Sequence, residues 1–419
     1  MSDLSASTPP RRAPLRSLDE ALDDLLSQAE PALPARSVPT FEADGWVLAQ
    51  DLSSPLDVPG HDNSSMDGYA VRLADLGATG EGLTVSQRIA AGSAALPLRS
   101  GSVARIFTGA PVPEGADAIV MQEDVEVLED ASVRIKAPPA PGQWIRRRGE
   151  DVRRGEVVLR RGRRLSPAEL GLAASIGFDR LPVIQRPRVA LLSTGDELVM
   201  PGEVAPEAMA PGAIYNSNRF FLRALLARLG CEVSDLGIVP DNRQATLQAL
   251  AQAAQDHDLI LTSGGVSVGE EDHIKPAVQA LGQLQLWQIA IKPGKPFAYG
   301  RIRNTQGFAH FMGLPGNPVS SFVTFLLLVR PFLLRLQGAS GARPEPLMLP
   351  AHFDWTKPDK RREFLRVRRN AQGGLDLFAN QSSGVLTSVV WADGLVDVSP
   401  GQRIARGDLL PFMSLKDLL

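Results

Sequence analysis

Short buried-type strands alternate with amphipathic helices between residues 187 and 337. Strands are predicted at 188–193, 233–239, 258–262 and 285–291, and helices at 220–229, 241–255, 273–281 and 317–336. This alternation is typical of a mainly parallel sheet with helices on both faces. We therefore predict a three-layer α/β lobe over residues 186–337.

The flanking regions show different patterns and predict a mixed α/β multidomain chain. Ser17 with Glu20, and Ser166 with Glu169, form capping boxes that open two helices, and we expect these helices to pack together. Short apolar runs between them, punctuated by Gly, Pro and Asp, indicate strands. The predicted units are a disordered leader (1–16), a linker lobe (17–57 plus 146–185), an inserted β-rich lobe (58–145), the α/β lobe and a C-terminal β-barrel-like lobe (338–419).

Composition excludes several classes of protein. A net charge of −3 and an aromatic content of 5% argue against a nucleic-acid-coating protein. The nine arginines between residues 146 and 164 could form a nucleic-acid patch, but interleaved acids favour a solvated or subunit-contact face. The single cysteine, Cys231, excludes an intramolecular disulfide. Because there is no long uninterrupted apolar run and no signal core, we predict a cytoplasmic protein without a membrane span.

A Gly-rich loop after the 258–262 strand is the strongest candidate site. It contains Ser263, Gly264, Gly265 and Ser267. Small residues let backbone N–H groups approach an anion, and the next helix start adds its positive dipole end. A tight strand-to-helix turn is the alternative. We predict binding of a phosphate-like group, since ligands of open sheets bind beyond the carboxyl ends of the strands.

Acidic residues follow the strands of the same sheet. Asp196 and Glu197 follow the first, Asp241 the second, and Asp272 the Gly-rich loop. Carboxylates in one crevice could hold Mg²⁺ together with ligand oxygens and water. Asp241 and Asp272 could instead only cap helices.

Lysines and hydroxyls lie farther along this edge. Lys292 and Lys295 flank a Pro/Gly turn that ends at Pro296, and Ser320 lies at the start of the last helix. Lysines bind oxyanions as compact charges, and a rigid Pro/Gly turn with solvated lysines is the alternative. In the β-rich lobe, the loops around Asp67 and Thr108 carry polar residues that turn chemistry could explain.

Seven motifs together resemble the molybdopterin molybdenumtransferase family, which includes bacterial MoeA and the E domain of gephyrin. They run in order along nearly the whole chain, from about residue 17 to 415. Ser65 stands where the family usually has Ala. The motifs lie at residues 62–70, 108–111, 149–151, 193–197, 262–267, 292–296 and 314–318.

The resemblance implies that molybdate and adenylylated molybdopterin give molybdenum cofactor and AMP, with Mg²⁺ or another divalent ion. It also implies a homodimer whose site is shared between the α/β lobe of one subunit and the β-rich lobe of the other. By this resemblance the catalytic residues are Asp67, Thr108, Glu197, Asp241, Asp272 and Lys295, and the carboxylates among them hold the metal. The substrate-binding residues are Thr194, Gly195, Ser263, Gly264, Gly265, Ser267, Lys292, Pro296, Pro315, Pro318, Ser320, Arg361 and Ser382.

Two other functions stay open at this point. A molybdopterin adenylyltransferase is the first, because a related α/β fold carries that upstream step, and a scaffold of the gephyrin E-domain type is the second. For the preferred function, the expected partners are an upstream adenylyltransferase and downstream proteins that accept the cofactor, with neither nucleic acid nor membrane.

Overall fold

The computed structural model describes residues 15–29, 33–77, 82–240, 242–265, 273–341 and 343–419. Its first element is helix α1 (Leu18–Gln28), and both hydrogen bonds of the Ser17–Glu20 capping box are present. The leader, apart from Leu15 and Arg16, lies outside the described residues. α1 does not pack against the second capped helix as expected. Its apolar face, with Leu18, Leu22 and Leu25, instead enters the core of the α/β lobe.

The linker lobe and the β-rich lobe have separate cores. Strands β1 (Ala35–Pro39) and β2 (Leu52–Ser53) precede the β-rich lobe. That lobe contains β3 (Asn63–Ser64), β4 (Gly68–Val71), β5 (Thr84–Ile89), β6 (Ser102–Ile106), β7 (Ala118–Met121), β8 (Val125–Val127), β9 (Val133–Ile135) and β10 (Ile145–Arg146). Its main sheet has the order β5-β6-β4-β7. The chain then returns through β11 (Val157–Leu159), α2 (Pro167–Ser175) and β12 (Arg180–Ile184), with β11 paired to β2 and β12 to β1.

Acidic partners occupy several side chains of the arginine-rich segment. Arg147 pairs with Asp62, Arg148 with Asp57 and Arg163 with Glu169. The first two ion pairs connect the returning chain to the segment that leaves the linker lobe, since Asp57 and Asp62 lie at its start, whereas the third is local.

The α/β lobe contains the predicted alternation plus one hairpin that was not predicted. It runs through β13 (Arg188–Thr194), β14 (Leu198–Val199), β15 (Ile214–Tyr215), α3 (Ser217–Arg228), β16 (Glu232–Val239), α4 (Arg243–Asp256), β17 (Leu259–Ser263), α5 (Ile274–Leu281), β18 (Gly282–Gln288), β19 (Ile291–Lys292), β20 (Pro296–Asn304), β21 (Gly307–Leu314) and α6 (Pro318–Leu336). The sheet order is β16-β13-β17-β21-β20-β18. β16, β13, β17 and β21 are parallel, and β20 runs antiparallel to both neighbours.

Helix α6 forms the centre of the largest core. It is long and apolar enough to cross a membrane by length and composition alone, with a mean hydropathy of 1.7. However, 89% of its most apolar stretch is buried, and Phe325, Leu328, Val329 and Phe332 pack in the same core as α1 and the sheet. We therefore interpret α6 as a core helix.

The C-terminal lobe is a second sheet that also recruits a strand from the α/β segment. Its elements are β22 (Leu347–Pro350), β23 (Arg362–Arg369), β24 (Leu375–Leu377), α7 (Thr387–Trp391), β25 (Gly394–Val398), β26 (Leu409–Ser414) and α8 (Leu415–Leu418). β19 pairs in parallel with the start of β23. This pairing fixes the lysine turn that follows Ile291 against the C-terminal lobe.

Candidate active site

A cavity of about 570 Å³ opens at the carboxyl ends of β13 and β17. Thr194 and Ser263, the last residues of these strands, both line it. This is the edge of the sheet at which the sequence places the ligand. Further lining residues are Glu197, Tyr215, Asn216, Ser217, Asn218, Gly264, Gly316, Asn317, Pro318 and Gly384.

The glycine pair that follows β17 is required by close packing against β13. Gly264 and Gly265 have φ values of +92° and +67°, a region that disfavours other residues. A Cβ on Gly265 would lie 3.0 Å from Thr194 Oγ1 and 2.7 Å from Ile274 Cγ1. Gly264 lines the cavity, so its backbone is accessible there. Ser267, predicted on the same loop, lies outside the described residues.

Asn218 connects the two loops on either side of the cavity. Its Nδ2 donates to Ser263 Oγ and to the carbonyl oxygen of Gly316, both at 2.7 Å. Only 8% of Asn218 is exposed. Asn218 was not predicted from the sequence. The one local signal is Asn216, a typical N-cap residue, which marks the start of the helix that carries Asn218; its Oδ1 accepts from the Arg219 N–H.

Two helices begin at the cavity. Ser217, the first residue of α3, and Pro318, the first residue of α6, both line it. The first N–H groups of a helix lack partners within the helix, and the helix dipole places partial positive charge there. On α6, Pro318 has no N–H and the Val319 N–H donates to the Ser383 carbonyl at 3.0 Å, so this helix start contributes mainly its dipole. Two converging helix starts and a glycine loop suit an anionic group.

Glu197 is the predicted carboxylate that the structure places at this cavity. Gly195, with a φ of +139°, leaves room for it, since a Cβ there would lie 2.6 Å from Glu197 Oε2. Asp241 and Asp272 lie outside the described residues. Within the described part of the chain, no group of three or more His, Cys, Asp or Glu side chains could hold a metal ion. The described donors of one chain therefore do not form the predicted Mg²⁺ site.

A second cavity of about 470 Å³ lies between the lysine turn and the C-terminal lobe. Lys295 and Arg361, both predicted to bind ligand, line it together with Lys360 and Asp359. The turn packs tightly on α6, because a Cβ on Gly294 would lie 2.4 Å from Thr324 Oγ1. Lys295 is half-buried and forms no ion pair with another described residue. Its charge is available to an oxyanion.

Lys292 and Arg361 already have carboxylate partners. Lys292 Nζ lies 3.1 Å from Glu363 Oε1 and 3.4 Å from Asp359 Oδ2. Arg361 donates from Nε and from its second terminal nitrogen to the two Asp359 oxygens, each at 3.0 Å. This fork holds the pKa of Asp359 well below its usual range and raises the pKa of Arg361. Lys292 and Arg361 thus form the wall of the cavity, whereas Lys295 and Lys360 line it without an ion pair to another described residue.

The remaining predicted residues lie around the first turn of α6. Pro318 lines the first cavity, Pro296 begins β20, and Pro315 and Ser320 are buried. The Ser382 carbonyl accepts from Arg366, at 3.4 Å. Arg366 is only 1% exposed, and burial lowers its pKa to about 10. Arg366 was not predicted from the sequence, because nothing local distinguishes it from its neighbouring arginines.

Asp67 and Thr108 form one unit in the β-rich lobe. Asp67 Oδ1 accepts from the Thr108 N–H at 2.8 Å and from its hydroxyl at 2.7 Å. These two bonds lower the pKa of Asp67, so the carboxylate is charged near neutral pH. None of the described residues that line the first cavity comes from the β-rich lobe. One chain therefore does not bring this pair to the cavity.

Comparison with known proteins identifies the family. Three family models match in order: the MoeA N-terminal region (domain I and II) over residues 16–177, a probable molybdopterin binding domain over 190–335, and the MoeA C-terminal region (domain IV) over 348–415. A molybdopterin molybdenumtransferase from Haemophilus influenzae is 45% identical over 78% of this chain and 80% of that protein. The chain belongs to the molybdopterin molybdenumtransferase family.

Other members extend the similarity to nearly the full length. The molybdopterin molybdenumtransferase of Synechococcus elongatus is 38% identical over 95% of this chain and 99% of that protein. A crystal structure of the molybdopterin biosynthesis MoeA protein from Pyrococcus horikoshii superposes with a TM-score of 0.81 at 28% identity, covering 96% of this chain and 100% of that one. The predicted family and fold class are confirmed.

Proposed function

We propose that this protein inserts molybdenum from molybdate into adenylylated molybdopterin and releases AMP. The observation that carries the proposal is the first cavity, where the Gly264–Gly265 loop and the starts of α3 and α6 converge in a chain of this family. Backbone N–H groups and helix dipoles suit the phosphates of the adenylate. The second cavity, with the unpaired Lys295, suits the molybdate dianion.

The two cavities flank the same turn of α6, which makes a transfer between them reasonable. Pro318 lines the first cavity, and the turn that leads to Lys295 packs on Ser320 and Thr324. The helix start lies between the two anionic substrates. Buried hydroxyls and backbone N–H groups there need no rearrangement when charge develops on a departing phosphate.

We also propose a homodimer in which Asp67 and Thr108 of one subunit complete the cavity of the other. The pair is charged, exposed and held ready by two hydrogen bonds, yet it does not line the cavity of its own chain. Mg²⁺ belongs to this proposal through Glu197, Asp241, Asp272 and the Asp67 of the second subunit. Glu197 lines the first cavity, and Asp241 and Asp272 lie outside the described residues.

Reconstitution distinguishes the candidate functions. Purified protein is incubated with adenylylated molybdopterin, molybdate and Mg²⁺, and cofactor formation is measured by activation of a molybdenum-free enzyme alongside AMP release. The proposal predicts both products together. Formation of adenylylated molybdopterin from molybdopterin and ATP would show an adenylyltransferase instead, and absence of both reactions in folded protein would favour a scaffold.

We propose that the molybdenum insertion takes place in the cytoplasm, after an adenylyltransferase supplies the substrate and before other proteins accept the cofactor.

A further inference from the structure

Two arginines stand directly opposite each other on one face of the β-rich sheet. Arg88 on β5 and Arg105 on β6 are register partners in a parallel pair of strands. Partners in register present their side chains on the same face, and like charges placed directly opposite are destabilising. This placement therefore needs a physical reason.

An irregularity in β5 produces the pairing. Val85 pairs with Val103, and Arg88 pairs with Arg105, so β5 uses one residue more than β6 between these pairs. A strand without the extra residue would place Gln87 opposite Arg105. Bulges of this kind re-aim side chains and are enriched beside functional sites. The extra residue turns a second cation onto the face that already carries Arg105.

An aromatic ring holds both guanidinium groups. Their central carbons lie 4.5 Å (Arg88) and 4.6 Å (Arg105) from the centre of the Phe107 ring. Cation–π attraction fixes the two groups against this ring without neutralising their charge. The next residue, Thr108, holds Asp67, so the arginine pair opens beside the Asp67–Thr108 unit.

The hydrogen-bond partners of the pair are neutral. Arg105 donates to the Gly68 carbonyl at 2.9 Å and to Gln122 Oε1 at 2.6 Å. Within residues 15–29, 33–77, 82–240, 242–265, 273–341 and 343–419, no carboxylate forms an ion pair with either arginine, and Arg88 is exposed. The Asp67 carboxylate attracts Arg105 without forming an ion pair, and its single charge leaves the two guanidinium groups with a net positive charge.

We propose that Arg88 and Arg105 bind a phosphate group. A phosphate monoester carries about −1.5 to −2 charges near pH 7, which matches two guanidinium groups. The planar guanidinium donates paired N–H bonds to phosphate oxygens. The Arg88 side chain has no hydrogen-bond partner among the described residues, whereas Arg105 offers the N–H groups that Gly68 and Gln122 do not take. The ligand is a phosphate, either free or on a nucleotide such as AMP.

Protection from an arginine-specific reagent tests the site directly. The full-length protein is treated with phenylglyoxal at constant ionic strength, with chloride, inorganic phosphate, AMP or adenosine present, and modified arginines are quantified by mass spectrometry. Arg36 is the matched control, since it stacks on Trp46 at 5.6 Å but lies in the linker lobe. We expect phosphate or AMP to slow modification of Arg88 at least fivefold, with no effect on Arg36 and none from adenosine. Protection by AMP but not by free phosphate would place the ligand on the nucleotide.

Two variants complete the test. Arg105→Gln should abolish the protection of Arg88, whereas Arg105→Lys, which keeps the charge but loses the planar guanidinium, should retain only part of it. Equal modification of Arg88 with and without the phosphates, or equal protection of Arg36, would overturn the proposal, and so would full protection in Arg105→Gln. The protection experiment uses neither molybdopterin nor molybdate. A negative result there would therefore not contradict molybdenum insertion, and a failed reconstitution would not contradict phosphate binding at Arg88 and Arg105.

Discussion

Replacing Asn218 by Ala should loosen both loops of the first cavity without unfolding the protein. The change removes two hydrogen bonds of 2.7 Å, one to Ser263 Oγ and one to the Gly316 carbonyl. A buried hydrogen bond of this kind contributes about 1–1.5 kcal/mol net. We therefore expect a loss of about 2–3 kcal/mol in the free energy of local opening, which corresponds to about 30- to 150-fold.

Amide hydrogen exchange measures this opening where it occurs. The N–H groups of Gly264 and Val319, which donate to the Leu314 and Ser383 carbonyls, should exchange faster by that factor in Asn218→Ala, and AMP affinity should fall with them. Asn304→Ala is the matched control, because its amide also donates to one backbone carbonyl, that of Ala254 at 2.8 Å, but at the opposite end of the sheet. Unchanged exchange at the cavity loops of folded Asn218→Ala would refute the role of this residue as their connection.

Three further predictions follow from single residues. Lys295→Gln should raise the molybdate concentration for half-maximal activity about 10- to 100-fold in a titration, because a charge-assisted contact contributes ~1.5–3 kcal/mol; an unchanged titration would contradict the oxyanion assignment. Gly265→Ala should weaken AMP binding, measured by calorimetry, far more than Gly202→Ala. Both glycines have a positive φ, but of the two only Gly265 has other atoms where a Cβ would lie. Equal effects would contradict the assignment of the Gly264–Gly265 loop to ligand binding. The hydrogen bond from the Ser166 hydroxyl lowers the pKa of Glu169 from 4.5 to about 2. The folded state is therefore stabilised above pH 4.5 and loses this stabilisation as the pH falls towards 2. In Glu169→Gln, the free energy of unfolding measured in urea should not show this pH-dependent loss.

Local signals were sufficient for much of the fold. The Ser17–Glu20 and Ser166–Glu169 capping boxes predicted two helix starts correctly, because each box is made within four residues. The Gly264–Gly265 turn was placed correctly at the end of β17, since only glycine tolerates both its φ values and its packing. The hairpin of β20 and β21 was missed because its apolar residues show no helical period and no tight Asn-Gly or Asp-Gly turn.

Contacts between distant segments could not be predicted. The sequence indicates that Lys292 is a cation without a partner. In the structure, β19 pairs with the C-terminal sheet, and this pairing allows Lys292 to form an ion pair with Glu363. Asn218 has no sequence signal of its own near the start of α3, and its two partners lie at the end of β17 and in the loop after β21. The packing of α1 was wrongly predicted for the same reason. Its leucines pack in the core around α6 and not against α2, the other helix with a capping box.

Subunit mixing tests most directly the claim that two chains build one site. Asp67→Asn and Glu197→Gln variants are purified, shown to be folded, and mixed under conditions that exchange subunits, and molybdenum insertion is measured. In the proposed arrangement, each mixed dimer has one site with both changes and one site with neither. We predict that each variant alone is nearly inactive and that the mixture recovers up to about a quarter of wild-type activity, because half of the dimers regain one of two sites. No recovery in mixtures shown to contain mixed dimers would contradict the shared site.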